Sequence, residues 1–186
     1  MHLGIDYGSK LAGTTVICWD KDEKLYLAQS EKKQDADAFL QQHIEALRPG
    51  AVFMDAPLSL PGVYHQKGDD YFYRACDKAT QAMSPMFLGG LTARAMRLRS
   101  QFPDLAFYET YPAQLVRTLF PENDFYKKEN PALFAEQLAA WLPFPLTAVL
   151  SNWHQVDGML AWLSGWRFSK GNALKYGKEE EGLIVV

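Results

Sequence analysis

The chain has 186 residues, 48% of them hydrophobic, with a formal net charge of −3 at neutral pH and a pI near 5.8. That is enough for one domain with its own core, and the slight acidity excludes a global electrostatic pull toward nucleic acid or anionic membranes, so any polyanion has to be met locally. Cys18 and Cys76 are too few for a disulfide framework and lack zinc-site spacing, no apolar run approaches the ~18 residues of a membrane helix, and the start lacks a basic-then-apolar leader; the expected setting is the cytoplasm, with no membrane partner.

Residues 2–7 read as a strand, and after the turn Gly8-Ser9-Lys10 the β-branched run 12–19 (AGTTVICW) reads as its hairpin partner. Asp20 to Glu23 supply a polar turn, and residues 24–30 alternate as a third antiparallel strand. The period then changes: Phe39, Leu40, Ile44 and Leu47 recur at helical spacing over 35–47, and Pro49-Gly50 stops the helix. The apolar run 51–56, ending in Asp55-Ala56-Pro57, follows that crossover helix and is predicted to lie parallel in the same sheet. Residues 58–90 are dominated by Pro, Gly, aromatics and charges without one period, and read as an insertion over the sheet's edge.

Residues 92–100 are predicted to be helical, 105–108 to form a fifth strand running into Glu109, and Pro112 to open another helix. Two further helices are expected over 131–141 and 153–168, the second capped by Ser151 or Asn152, and residues 173–176 and 182–186 suit a small terminal hairpin. The expected fold class is α/β: a single domain over 1–186 with a mixed five-stranded sheet, a three-stranded antiparallel meander plus two parallel strands, and helices on both faces.

Alternation on the first strand sends Gly4 and Asp6 to one face and Leu3, Ile5 and Tyr7 to the other. Asp55 ends the fourth strand, where open α/β sheets place ligands, and Glu109 ends the fifth in the same manner. On the last long helix His154 and Asp157 share a stripe with Gly158, Ala161 and Gly165, small residues that allow close approach to the sheet. Each acid alone has a structural explanation in turn hydrogen bonding, capping, solvation or the helix dipole. Together the four acids Asp6, Asp55, Glu109 and Asp157 form a crowd of carboxylates that a divalent cation would neutralise, and hard oxygen donors select Mg²⁺ or Mn²⁺. Such ions activate water and stabilise the leaving oxygen of a phosphodiester, with His154 orienting water, carrying a proton or touching phosphate, and Glu109 as a further catalytic acid.

The segments GIDYGSKLAG, DAPLSLPG, RACDKATQ, FYETYP and HQVDGMLAWL together resemble the predicted nucleases of RNase H-like fold grouped as a domain of unknown function, relatives of the Holliday-junction resolvase and YqgF-type enzymes. The resemblance spans nearly the whole chain. It implies an RNase H-like fold in which acids on the first strand, the fourth strand and the last helix bind two metal ions, which maps to Asp6, Asp55 and Asp157, with His154 matching a further helix residue. HQVDGMLAWL offers one acid where many resolvases have two.

The expected activity is metal-dependent hydrolysis of nucleic acid, DNA or RNA, structured or branched, with a homodimer as an allowed assembly. Lys10, Arg74, Arg94 and Arg97 are the candidate phosphate contacts, and Tyr71, Phe72 and Tyr73 are candidates for base stacking. Arg74 and Asp77 also suit a salt-bridged cap, the arginines a solvated helix face and the aromatics local packing. Two alternatives are carried: a sugar-kinase or actin-like ATPase, because GIDYGS also resembles a phosphate-gripping turn, and an inactive nucleic-acid-binding module.

Overall fold

The computed structural model describes residues 1–122, 125–128 and 130–186. β1 (Leu3–Asp6) pairs antiparallel with β2 (Val16–Lys21), and β2 pairs antiparallel with β3 (Lys24–Gln29). The turn between β2 and β3 is tighter than the sequence suggests: Asp22 and Glu23 alone take positive φ, 49° and 56°, as a two-residue hairpin turn matching the strand twist demands. Asp20 and Lys21 therefore belong to β2, while residues 12–15 precede it.

α1 (Ala36–Leu47) starts at Asp35, whose carboxylate accepts from the amides of Asp37 and Ala38, and leads into β4 (Ala51–Asp55). Residues 58–90 fold as a 3₁₀ turn, Gly62–His65, and two short helices, α2 (Ala75–Thr80) and α3 (Pro85–Leu88). α4 (Gly90–Ser100), β5 (Ala106–Glu109), α5 (Pro112–Leu119), α6 (Pro131–Leu138), a 3₁₀ turn at Ala139–Trp141 and α7 (Trp153–Ser169) follow. The chain continues into β6 (Lys175–Lys178) and β7 (Gly182–Val185). Among the described residues no helix is long and apolar enough to cross a membrane.

Among the described residues seven strands, not five, make one mixed sheet, in the order β3-β2-β1-β4-β5-β7-β6. β1, β4, β5 and β7 run parallel, and β6 returns antiparallel to β7. The expected terminal hairpin thus extends the main sheet: β7 covers the edge of β5, and α2 packs on β6 and β7. The cost of an open parallel edge is removed by the last strands of the chain.

Period-two alternation assigns the two faces. Leu3, Ile5, Val52 and Met54 face α1 and α4 in one core with Phe39, Leu40, Ile44, Ala95 and Leu98. The other face packs α5, α6 and α7, with Leu115, Phe134, Leu160 and Trp162 at its centre. α7 lies almost on the backbone of β1. A Cβ built on Gly4 would meet the Trp162 amide nitrogen at 2.0 Å and the Gly158 carbonyl oxygen at 2.6 Å, and one on Gly158 would meet Val16 Cγ1 at 2.8 Å. The small residues of both elements are what allow that approach.

Candidate metal centre

β1 and β4 run in parallel register with Asp6 opposite Asp55. Adjacent strands lie about 4.8 Å apart, so the two carboxylates leave neighbouring strands at the same level and on the same face. That face is the one α7 covers. Asn152 caps α7 by accepting from the Gln155 amide, and the first turns of the helix carry His154 and Asp157 over the strand ends. His154 Nδ1 stands 2.8 Å from Asp6 Oδ2. Asp157, only 3% exposed, gives one oxygen to each of two residues that precede α6 in the chain: Tyr126 donates its hydroxyl to Oδ1 at 2.5 Å, and Lys127 Nζ lies 3.0 Å from Oδ2.

Asp6, Asp55, Asp157 and His154 are therefore brought together. Glu109 is not part of that group. β5 pairs with β4 so that Glu109 stands opposite Met54, one residue short of Asp55, and a one-residue offset puts its side chain on the other side of the pleat. Glu109 instead accepts two bonds from Arg74, Nη1 to Oε2 at 2.7 Å and Nη2 to Oε1 at 2.6 Å, plus the Leu58 amide at 3.0 Å. Both of its oxygens are thereby engaged, while it still lines the same pocket as Asp6 and Asp55.

Arg74, expected as a phosphate contact, lies instead out of reach of one. It is fully buried, and Asp77 takes its Nε and Nη2 while Ser59 takes Nη1, so its guanidinium offers nothing to a polyanion. Arg94 is mostly spent as well: it grips Asp37 through Nε and Nη2, donates to the Gly8 carbonyl, and lies 4.7 Å over the Tyr7 ring. Lys10 pairs with Asp35 on the surface, and Arg97 lies on the exposed side of α4.

Burial, then the neighbouring carboxylates, dominates the electrostatics. Asp55 is pushed well above the usual carboxylate range by burial and by Asp6 and Asp157, and no described side chain donates to it or pairs with it. Asp6 is also raised by burial, against the pull of His154. Asp157 is raised to about 6 by burial and Asp6, against Lys127 and Tyr126. The bond to Asp6 lifts His154 above its ordinary value. Three carboxyls therefore share two partial counter-charges, a deficit that a doubly charged ion would remove. The donors fit such an ion by chemistry, since all three are hard oxygen ligands and Asp55 has both oxygens unpaired among the described residues. Among the described residues no three His, Cys, Asp or Glu side chains already stand arranged to hold a metal, in keeping with both Asp157 oxygens being engaged.

Asp6 and Asp55 open into a pocket of about 300 Å³ whose walls also include Tyr7, Met83, Leu91 and Glu109. A larger hollow of about 690 Å³ between α6 and residues 142–150 has Glu136 as its one titratable wall residue, so the smaller acidic pocket is the candidate site. The segment roofing that pocket turns aromatic side chains outward: Phe87 stacks on Phe72 and meets Tyr73 edge-on, all exposed. Tyr126 and Lys127 are the site residues that sequence reasoning missed; FYKKEN carries no local pattern that points thirty residues onward to Asp157.

Comparisons with protein-family models, with curated proteins and with solved structures give no match to this chain.

Proposed function

We propose that the protein is a divalent-metal-dependent hydrolase of nucleic-acid phosphodiesters on an RNase H-like frame. The observation that carries this reading is the register of Asp6 beside Asp55 at the ends of two parallel strands, with Asp157 brought over them by α7 and too little positive charge nearby to balance the three. Asp6, Asp55 and Asp157 would hold Mg²⁺ or Mn²⁺, and an ion there supplies Lewis-acid activation of water and charge stabilisation at the phosphate. His154 is 45% exposed and bound through Nδ1 to Asp6, which leaves its Nε2 able to take or return a proton beside the carboxylates. Tyr7 and Met83 wall the pocket, and the exposed Phe72, Tyr73 and Phe87 beyond it supply faces on which unpaired bases stack. Nucleic acid is therefore the proposed partner, with branched or partly single-stranded forms the first to assay.

The deciding experiment combines Mn²⁺ titration with cleavage of single-stranded, duplex and branched substrates. The wild type is expected to gain thermal stability in millimolar Mn²⁺ and to cut at least one substrate; Asp6→Asn is expected to keep its circular dichroism spectrum and lose at least a thousandfold of the activity, on the order of the loss when one charge-stabilising group is removed. Metal-dependent cleavage retained by Asp6→Asn overturns the reading. Protection by ATP instead of by metal alone would favour the kinase-like alternative.

A further inference from the structure

We propose that Lys127 is the internal counter-ion of the carboxylate cluster, seated on Asp157 in the metal-free protein and expelled when a divalent ion binds. The inference rests on the metal-site reading above and adds a competitor to it. Both Asp157 oxygens are engaged, one by the Tyr126 phenol and one by the Lys127 ammonium, so an ion that uses Asp157 has to share or displace one of them. The two neighbours differ in how they tolerate a dication. A neutral phenol keeps its hydrogen bond to an oxygen that also touches a metal, whereas an ammonium on the same carboxylate repels the incoming charge.

The two ends of the ion pair also differ in mobility. Asp157's side chain is 4% exposed and fixed on a buried helix, while that of Lys127 is 54% exposed on a flexible stem. When the pair breaks, the lysine returns to water at little cost and the carboxylate stays. Asp6 and Asp55 attract the same ammonium, so one lysine partly compensates all three acids. The peptide at Lys127 is turned to φ +61°, a left-handed conformation uncommon for a residue with a side chain, and the chain bends there beside the cluster.

The test reads metal affinity and metal-free stability, not turnover. Lys127→Met removes the charge and keeps the length of the stem; Lys127→Arg keeps the charge; Lys24→Met, at the far end of the β2–β3 hairpin, changes net charge by the same amount away from the site. Lys127→Met is expected to lower the metal-free melting temperature and to bind Mn²⁺ on the order of tenfold more tightly by calorimetry, the size of one charged hydrogen bond given up. Lys127→Arg and Lys24→Met are expected to stay within about twofold of wild type. Unchanged or weaker Mn²⁺ binding by Lys127→Met, with wild type still binding, overturns the counter-ion assignment and leaves the metal site standing. Binding by Lys127→Met where wild type binds none supports the assignment in its strongest form. No binding by wild type or by any variant overturns the metal reading itself, and the assignment with it.

Discussion

Arg74 carries its charge where no water reaches it, and every bond its guanidinium makes goes to a residue from a different part of the chain or to its own helix start. Asp77 accepts from its backbone amide as well as its side chain, which caps α2; Glu109 ties it to β5; Ser59, whose own hydroxyl donates to the Glu181 carbonyl, ties it to the terminal hairpin. Removing the arginine strands two buried carboxylates together. Arg74→Met is expected to cost about 3–5 kcal/mol, read as a drop in the urea midpoint at unchanged slope. A loss under about 1 kcal/mol would show that Glu109 and Asp77 find other partners. The sequence announced half of this, since RACD allows a cap in which the acid three residues on reaches back to the first amide. The Glu109 half was hidden because β5 is offset by one residue against β4, and the offset alone decides which face its last acid serves.

The pairing of α7 with β1 positions the candidate site, and it is written in residue size. Gly4 opposes Trp162 and Gly158 at distances no methyl group tolerates, so Gly4→Ala forces the helix off the strand or prevents folding. The expected loss exceeds about 3 kcal/mol, the upper range for overpacking. Any folded fraction should lose its response to Mn²⁺, because Asp157 moves away from Asp6 with the helix. An intact Mn²⁺ response in a folded Gly4→Ala protein would break the link between this contact and the site. Strong periods made most elements legible: α1, α7 and the first three strands come from alternation or helical spacing. β6 and β7 were less so. KYGK and GLIV are four residues each, the first mostly exposed and charged, and nothing in either predicts that the hairpin joins β5. Tyr126 and Lys127 were illegible for a related reason, as their contacts with Asp157 cross from an irregular stretch to a helix far along the chain.

Over the whole molecule the ionisable groups divide by sign. Asp6, Asp55 and Asp157 are held above their ordinary values, so above the usual carboxylate range the folded state keeps protons that the unfolded chain sheds, and metal-free stability falls as pH rises. Asp157 alone, raised to about 6, accounts for on the order of 3 kcal/mol of that fall. His154, also raised, adds stability below pH 6.5 that is lost as pH climbs through its folded value. His2, which burial against Trp162 holds below its ordinary value, pulls the opposite way below pH 6.5. The metal-free protein is therefore expected to melt higher near pH 5 than near pH 8. Asp55→Asn should flatten that slope and raise the pH 8 melting temperature by about 2–4 °C for each kcal/mol recovered. A slope of the opposite sign in differential scanning calorimetry would mean that the cluster is solvated in solution. With Mn²⁺ present the trend should invert, because the ion needs its carboxylates deprotonated.

The placement of β7 against β5 has a bearing on how the protein comes off the ribosome. Until residue 185 has cleared the exit tunnel, β5 presents a bare parallel edge and the hydrogen bonds that Ser59 and Ala75 make to Glu181 have no partner. Nascent chains therefore carry a sticky border from the emergence of β5 until β7 pairs with it, and that side of the sheet cannot close before residues 182–185 are available.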